Sequence, residues 1–217
     1  IFGGSLYFFT ENTALGITQA SNVSFIICTA PLLTTILSLL FYKSEKASKG
    51  LIYGSLLALM GVGLIVFNGS FVLKISPIGD LLTLLAALSW AFYSLIIKKM
   101  AGRYPTIFIT RKIFFYGVLT ILPAFLLHPL HPDTAVLLQP AVLFNLLFLA
   151  VLASLICYVL WNVVLKQLGT VRASNYIYLN PLVTMIASFL ILDEKITLVA
   201  LGGAACIVCG VYWAEKK

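Results

Sequence analysis

Apolar residues run in blocks along this chain, separated by short polar joins. The blocks cover residues 23–42, 51–67, 78–97, 107–127, 142–165, 173–192 and 198–214, and residues 1–18 read as the end of one more. A helix needs about 20 apolar residues to cross the hydrocarbon core of a bilayer, and most blocks have that length. Hydrocarbon offers no water to the backbone, so each block is expected to be helical. The joins are sharply punctuated. Gly69, Ser70 and Ser76-Pro77 divide the chain, and the two prolines of His128-Pro129-Leu130-His131-Pro132 stop the fifth block.

Composition agrees with that pattern. Apolar residues make up 61% of the 217, charged residues 10%, and mean hydropathy is +1.08. A soluble domain is about one quarter charged, and a soluble core of this size could not hide so much apolar surface. The net charge of +7 suggests nucleic acid. The basic residues, however, sit in short clusters between apolar blocks, so nucleic acid is not an expected partner. Cys28, Cys157, Cys206 and Cys209 all fall inside blocks, and Cys206-x-x-Cys209 has no histidine nearby. They read as packing residues rather than a redox or metal pair. Enzyme chemistry needs convergent acid, base or metal groups. His128 and His131 lie at an interface and nearly all carboxylates lie in joins, so no catalytic residue, metal or cofactor is expected.

The charges orient the chain. Lys43, Lys46, Lys49, Lys98, Lys99, Arg103, Arg111, Lys112, Lys166, Arg172, Lys216 and Lys217 fall on one side of the alternating spans, leaving Lys74 and Lys195 on the other. By the positive-inside rule the first side is cytoplasmic, and so is the C-terminus. The expected location is a bacterial inner (plasma) membrane.

One stretch repeats. Pro31-Leu32-x-Thr34-x-Ile36-x-Ser38 recurs 150 positions on as Pro181-Leu182-x-Thr184-x-Ile186-x-Ser188, and Asn12-x-x-Leu15 as Asn162-x-x-Leu165. With one residue of slippage Glu45-Lys46 matches Glu194-Lys195, Gly54 matches Gly203, and Gly61-Val62 matches Gly210-Val211. This is a two-fold internal repeat. Five spans separate the copies, so they face opposite ways, an inverted repeat of the kind common in secondary transporters. The expected division is residues 1–69, the remaining part of an N-terminal repeat, and 70–217, the C-terminal repeat. Residue 1 maps onto Val151, inside a span, so the repeat predicts two helices and part of a third, roughly 70 residues, ahead of it.

A family resemblance rests on an ordered series of motifs. Gly79-Asp80-Leu-Leu-x-Leu-Leu-Ala-Ala-Leu-Ser-Trp90-Ala-x-Tyr93 resembles the opening helix of the second half in the drug/metabolite transporter superfamily, EamA type. Tyr158-Val-Leu-Trp161-Asn162, Gly169-Thr-Val-Arg-Ala173-Ser174, Asn180-Pro181 and Asp193-Glu194-Lys195 are similar to its eighth and ninth spans. The resemblance implies an all-α, polytopic membrane helix bundle of two five-helix inverted repeats, moving small metabolites by alternating access. Glu45 and Glu194 match the family's acidic residue after the fourth and ninth spans, whereas its usual preceding Gly is replaced by Ser44 and Asp193.

Candidate site residues gather round the two prolines. A mid-span proline removes one helical hydrogen bond and frees a carbonyl four residues earlier, here Ile27 and Ile177. Breaks at equivalent points of opposed repeats point to a central site; the alternative is that Pro31 and Pro181 only bend helices. Tyr176, Asn180 and Thr184 share one helical face; Tyr158, Trp161 and Asn162 another; Ser89, Trp90, Tyr93 and Ser94 a third. The hydroxyls of Thr29, Thr34, Thr35 and Ser38 read as helix-to-helix glue, and the Gly54–Ala58–Gly61 and Gly203–Gly210 stripes as close-approach surfaces. The cavity set is Glu11, Asn12, Trp90, Tyr93, Tyr158, Trp161, Asn162, Tyr176 and Asn180. Glu11 lies seven residues from Thr18, roughly 10 Å inside its span. An ionisable group at that depth marks a substrate or proton pathway, or is a protonated group bonded to a neighbouring helix.

The function that fits is a secondary transporter, an exporter of a small metabolite or drug-like solute, with a channel or a non-transporting multi-pass receptor as the alternative. Aromatics with amides and hydroxyls suit an amino acid, a nucleoside or an amphipathic drug. The expected partners are a small-molecule substrate and the lipid bilayer; a coupling proton and a homodimer stay open. The charge count makes one prediction. In a cysteine-free background, Arg103→Cys should be shielded from impermeant thiol reagents in intact cells and Asp133→Cys should label. The reverse pattern contradicts the orientation.

Overall fold

The computed structural model describes residues 1–42, 48–67, 76–127, 134–192 and 196–216. Among these, regular structure is helical, and seven helical stretches are long and apolar enough to cross a membrane. Helix α1 (Ser5–Ile17) precedes a broken span of α2 (Ala20–Ile27) and α3 (Ala30–Phe41), then α4 (Lys49–Phe67). After it come α5 (Pro77–Ala101), α6 (Thr106–Leu127) and the one-turn α7 (Thr134–Leu137). The next span is long, made of α8 (Pro140–Leu147), a π-helical stretch (Phe148–Ile156) and α9 (Cys157–Leu168). The second broken span is α10 (Thr170–Asn175), a 3₁₀ turn (Tyr176–Leu179) and α11 (Asn180–Leu192), before α12 (Leu198–Glu215). The helices meet the apolar blocks to within a few residues. The readings of Glu45, Glu194, their lysines, the preceding Ser44 and Asp193, and the two histidines lie outside the described residues.

Both breaks fall at the prolines. Helix α2 stops at Ile27, where the Thr29 N–H donates to the Ile26 carbonyl at 2.9 Å and the Thr29 hydroxyl donates to the same oxygen at 2.7 Å. Pro31 then sits in the first turn of α3, where a helix makes no use of that N–H. On the other span the chain tightens into the 3₁₀ turn, and the Asn180 N–H donates to the Ile177 carbonyl. That corrects the expectation of an open carbonyl at Ile177. The tighter winding supplies a donor one residue before the proline that cannot.

Helices α4 and α12 cross antiparallel and closer than any side chain permits. A Cβ on Gly54 would meet the backbone of Gly210 and Ala214, and one on Gly61 the backbone of Gly203. This seam buries Ala58, Val62, Ile207 and Val211 together with Cys28 from the first break and Tyr178 from the second. Helix α5 is the hub on the other side, touching α1, α2, α3, α6, α9 and α10. Its start is closed locally by Asp80 Oδ2, which accepts from the Ser76 N–H at 3.2 Å, and tied to the end of α1 by the Ser76 hydroxyl, which donates to the Ile17 carbonyl at 3.3 Å. Between α9 and α10, Gly169 turns the chain with φ +81°, a conformation that L side chains avoid.

The α4–α12 seam makes a graded prediction. Gly210→Leu should lower the thermal midpoint measured in detergent by several degrees or prevent folding, because the clash is with backbone. Gly202→Ala, whose Cβ meets nothing, should leave the midpoint within about one degree.

Candidate functional site

Aromatic residues one turn apart on α5 and on α9 face each other across the hub. Trp90 lies 5.2 Å from Tyr93, 5.9 Å from Tyr158 and 5.8 Å from Trp161, ring centre to ring centre. Helix α1 adds Tyr7, 5.0 Å from Trp90, and α6 adds Phe114, 5.2 Å from Tyr158. Separations of this size suit tilted and edge-on ring contacts, which contribute beyond their buried area.

Polar groups thread the cluster. The Tyr93 hydroxyl donates to Asn162 Oδ1 at 2.7 Å, Asn162 Nδ2 donates to the Thr110 hydroxyl at 2.9 Å, and that hydroxyl donates to the Thr106 carbonyl at 3.0 Å. The Tyr158 hydroxyl donates to the Gly3 carbonyl at 2.7 Å. Gly3 allows this because a Cβ there would enter the Tyr93 ring. The Tyr7 hydroxyl donates to Glu11 Oε1 at 3.0 Å. The indole nitrogens of Trp90 and Trp161 are buried without an acceptor.

Trp90, Tyr93, Tyr158, Trp161 and Asn162 therefore come together, and Glu11 joins them through Tyr7. Asn12 does not. It is exposed, and its Nδ2 donates to the Phe8 carbonyl of its own helix at 2.8 Å, whereas its sequence counterpart Asn162 is buried between α5 and α6. Tyr176 and Asn180 are also exposed and outside the cluster. Tyr176, at the head of the 3₁₀ turn, lies one turn on from the exposed Arg172. A 3₁₀ helix turns about 120° per residue against about 100° for an α-helix, so four such residues rotate Asn180 and the rest of the span by roughly 80°. The face buried instead carries Ser174, Asn175 and Tyr178, all at 0% exposure. The Tyr178 hydroxyl approaches Ser55 without closing a hydrogen bond of good geometry. Pro31 and Pro181 are buried beside the breaks. Sequence reading missed Tyr7, although it sits one turn from Glu11 on the same face; Gly3 and Thr110 had no local signal, because their partners are 155 and 52 residues away.

A bundle of membrane-crossing helices, two of them broken at mid-span beside a buried aromatic and amide cluster, has the form of a membrane transporter. The chain belongs to the EamA-like transporter family, whose model matches residues 1–67 and 77–214. It is 30% identical, over 99% of its length and 73% of the relative's, to a protein of Archaeoglobus fulgidus described as an uncharacterized transporter. It is 29% identical to a probable amino-acid metabolite efflux pump of Salmonella typhimurium, over 79% of this chain and 60% of that protein. A probable amino-acid metabolite efflux pump of Escherichia coli K12 is 24% identical over 92% of this chain and 69% of that protein. A solved crystal structure superposes with a TM-score of 0.81 at 19% identity, covering 99% of this chain and 72% of the other, which shows the fold. The protein is thus an integral multi-pass membrane transporter for a small molecule and not an enzyme.

The Tyr93–Asn162–Thr110 chain of bonds is open to a direct test. A double-mutant cycle of Tyr93→Phe and Asn162→Val, combined with unfolding in mixed micelles, should return a coupling of about 0.6–1.7 kcal/mol, the range for hydrogen bonds between membrane helices. Additive effects would mean that the two side chains do not support each other.

Proposed function

We propose that the protein is a secondary transporter that exports an amino-acid-derived metabolite by alternating access between two inverted repeats. The observation that carries this is the pair of mid-span breaks at Pro31 and Pro181, both anchored in one seam through Cys28 and Tyr178. The crossing of α4 with α12 supports the inverted repeat. Gly54 meets Gly210 while Gly61 meets Gly203, and by sequence Gly203 is the copy of Gly54 and Gly210 the copy of Gly61. Such reciprocal pairing is the mark of a two-fold axis. It favours repeats at 1–69 and 70–217 related by an axis in the membrane plane.

The two ends of the broken spans differ. The halves that the charges place on the cytoplasmic side, α3 and α10, pack on each other, while the outer halves α2 and α11 make no comparable contact among the described residues. That inner contact is poorly bonded: Thr34 Oγ1, Ser174 Oγ and both side-chain polar atoms of Asn175 are buried without partners. Each such group costs about 1–3 kcal/mol, so the closed inner seam is held weakly enough to part. The efflux pumps among the relatives support export and an amino-acid-like solute. Glu11, a carboxyl group within a span and bonded to Tyr7, is where a coupling proton would be exchanged.

Counterflow tests the reading. Proteoliposomes loaded with a mixture of unlabelled amino acids and their amine derivatives should accumulate labelled solute transiently above its outside concentration. A channel would equilibrate label without overshoot, and a receptor would take up none.

A further inference from the structure

We propose that the Glu11 carboxylate, with the ring faces of Tyr7 and Trp90, recognises a substrate's ammonium group, so that Glu11 selects cationic or zwitterionic solutes over anionic ones. This rests on the transport reading above and names the chemistry of its site.

Three observations converge on Glu11. First, no described Lys or Arg pairs with it: its described partner is the Tyr7 hydroxyl on Oε1, and the ion pair among described residues is Arg172 with Glu215, on other helices. A carboxylate on α1 with no cation paired to it among the described residues is left to attract one from outside. Oε2 remains available to a second donor, since no described residue bonds to it.

Second, its surroundings are aromatic. Tyr7 holds Glu11 by its hydroxyl and lies 5.0 Å from Trp90, whose ring contacts extend to Tyr93, Tyr158 and Trp161. Aromatic faces carry negative potential and attract ammonium groups, most strongly where water is scarce. A carboxylate bonded to the hydroxyl of one ring that itself packs on Trp90 sets a directed, charge-assisted acceptor at the edge of a π-rich cluster. The same field repels a carboxylate or phosphate placed there.

Third, donors that would suit a carbonyl or other acceptor oxygen lie in the same ring cluster. The Trp90 and Trp161 indole N–H groups are both buried without an acceptor, on rings 5.8 Å apart. A buried Trp normally finds a partner for its N–H. A solute with an ammonium at one end and an acceptor oxygen at the other matches this set of one acidic and two donor groups.

The test uses three probes of one shape: phenethylamine, phenethyl alcohol and phenylacetate. Each is titrated against the protein in lipid nanodiscs, with intrinsic tryptophan fluorescence as the readout. Phenethylamine should bind at least tenfold tighter than the alcohol, and phenylacetate weakest. Glu11→Gln should remove the preference for the amine while leaving alcohol binding within about twofold; Glu11→Asp should retain part of it. Equal affinities for amine and alcohol in the unaltered protein, or an unchanged preference in Glu11→Gln, would overturn the proposal. Folding of each variant is checked by its thermal midpoint, and Tyr7→Phe, which keeps the ring and removes the bond to Glu11, provides a second variant, expected to weaken amine binding selectively. Counterflow by the unaltered protein is measured in parallel. Counterflow without amine preference sinks the ammonium site alone, and no counterflow at all sinks the transporter reading.

Discussion

Inside hydrocarbon the chain must satisfy its own backbone, and two prolines at mid-span forbid a continuous helix from doing so. The rest of the structure is arranged around that constraint. At Pro31 the first break is bridged by Thr29, whose N–H and hydroxyl both reach the Ile26 carbonyl. At Pro181 the backbone tightens into a 3₁₀ turn that gives Ile177 a donor. At Pro181 this local repair meets the carbonyl that the proline leaves open, whereas at Pro31 the described bonds reach Ile26 rather than Ile27. Each span stays divided into two short helices. Cys28 and Tyr178 then fasten both divided points to the one place where helices approach most closely, the glycine crossing of α4 and α12.

From that fixed seam the bundle opens toward a second centre. Helix α5 carries Trp90 and Tyr93 into contact with Tyr158, Trp161 and Asn162 of α9, and α1 brings Tyr7, whose hydroxyl holds Glu11, against Trp90. The bonds inside this cluster are mostly between helices: Tyr93 to Asn162, Asn162 to Thr110, Tyr158 to Gly3. Four elements meet at one group of side chains.

Much of this was legible in the sequence, for physical reasons. Spans are visible because hydrocarbon demands long apolar helices. The breaks are visible because proline has no N–H. The aromatic group on α5 and α9 is visible because its members repeat at one-turn spacing within single regular helices. Legibility failed where regularity failed. Tyr176 and Asn180 share a face only if the helix runs straight from one to the other, and the 3₁₀ turn between them spoils that count. Asn12 was paired with Asn162 by repeat arithmetic, yet burial depends on which helices pack against each, and that differs. Thr110 and Gly3 were invisible because their roles are set by partners far along the chain.

The most direct test of alternating access is a pair of distances measured by spin labels on one protein in lipid nanodiscs. One pair, Ser24→Cys on α2 with Val183→Cys on α11, reports the side that the charges propose as outer; the other, Ile36→Cys on α3 with Arg172→Cys on α10, reports the opposite, inner side. All four positions are exposed. If the two halves pivot about the α4–α12 seam as proposed, adding a transported solute should shorten the outer distance in a fraction of molecules and lengthen the inner distance in the same fraction. Both distances staying constant under conditions that support counterflow, or both growing together, would contradict the account.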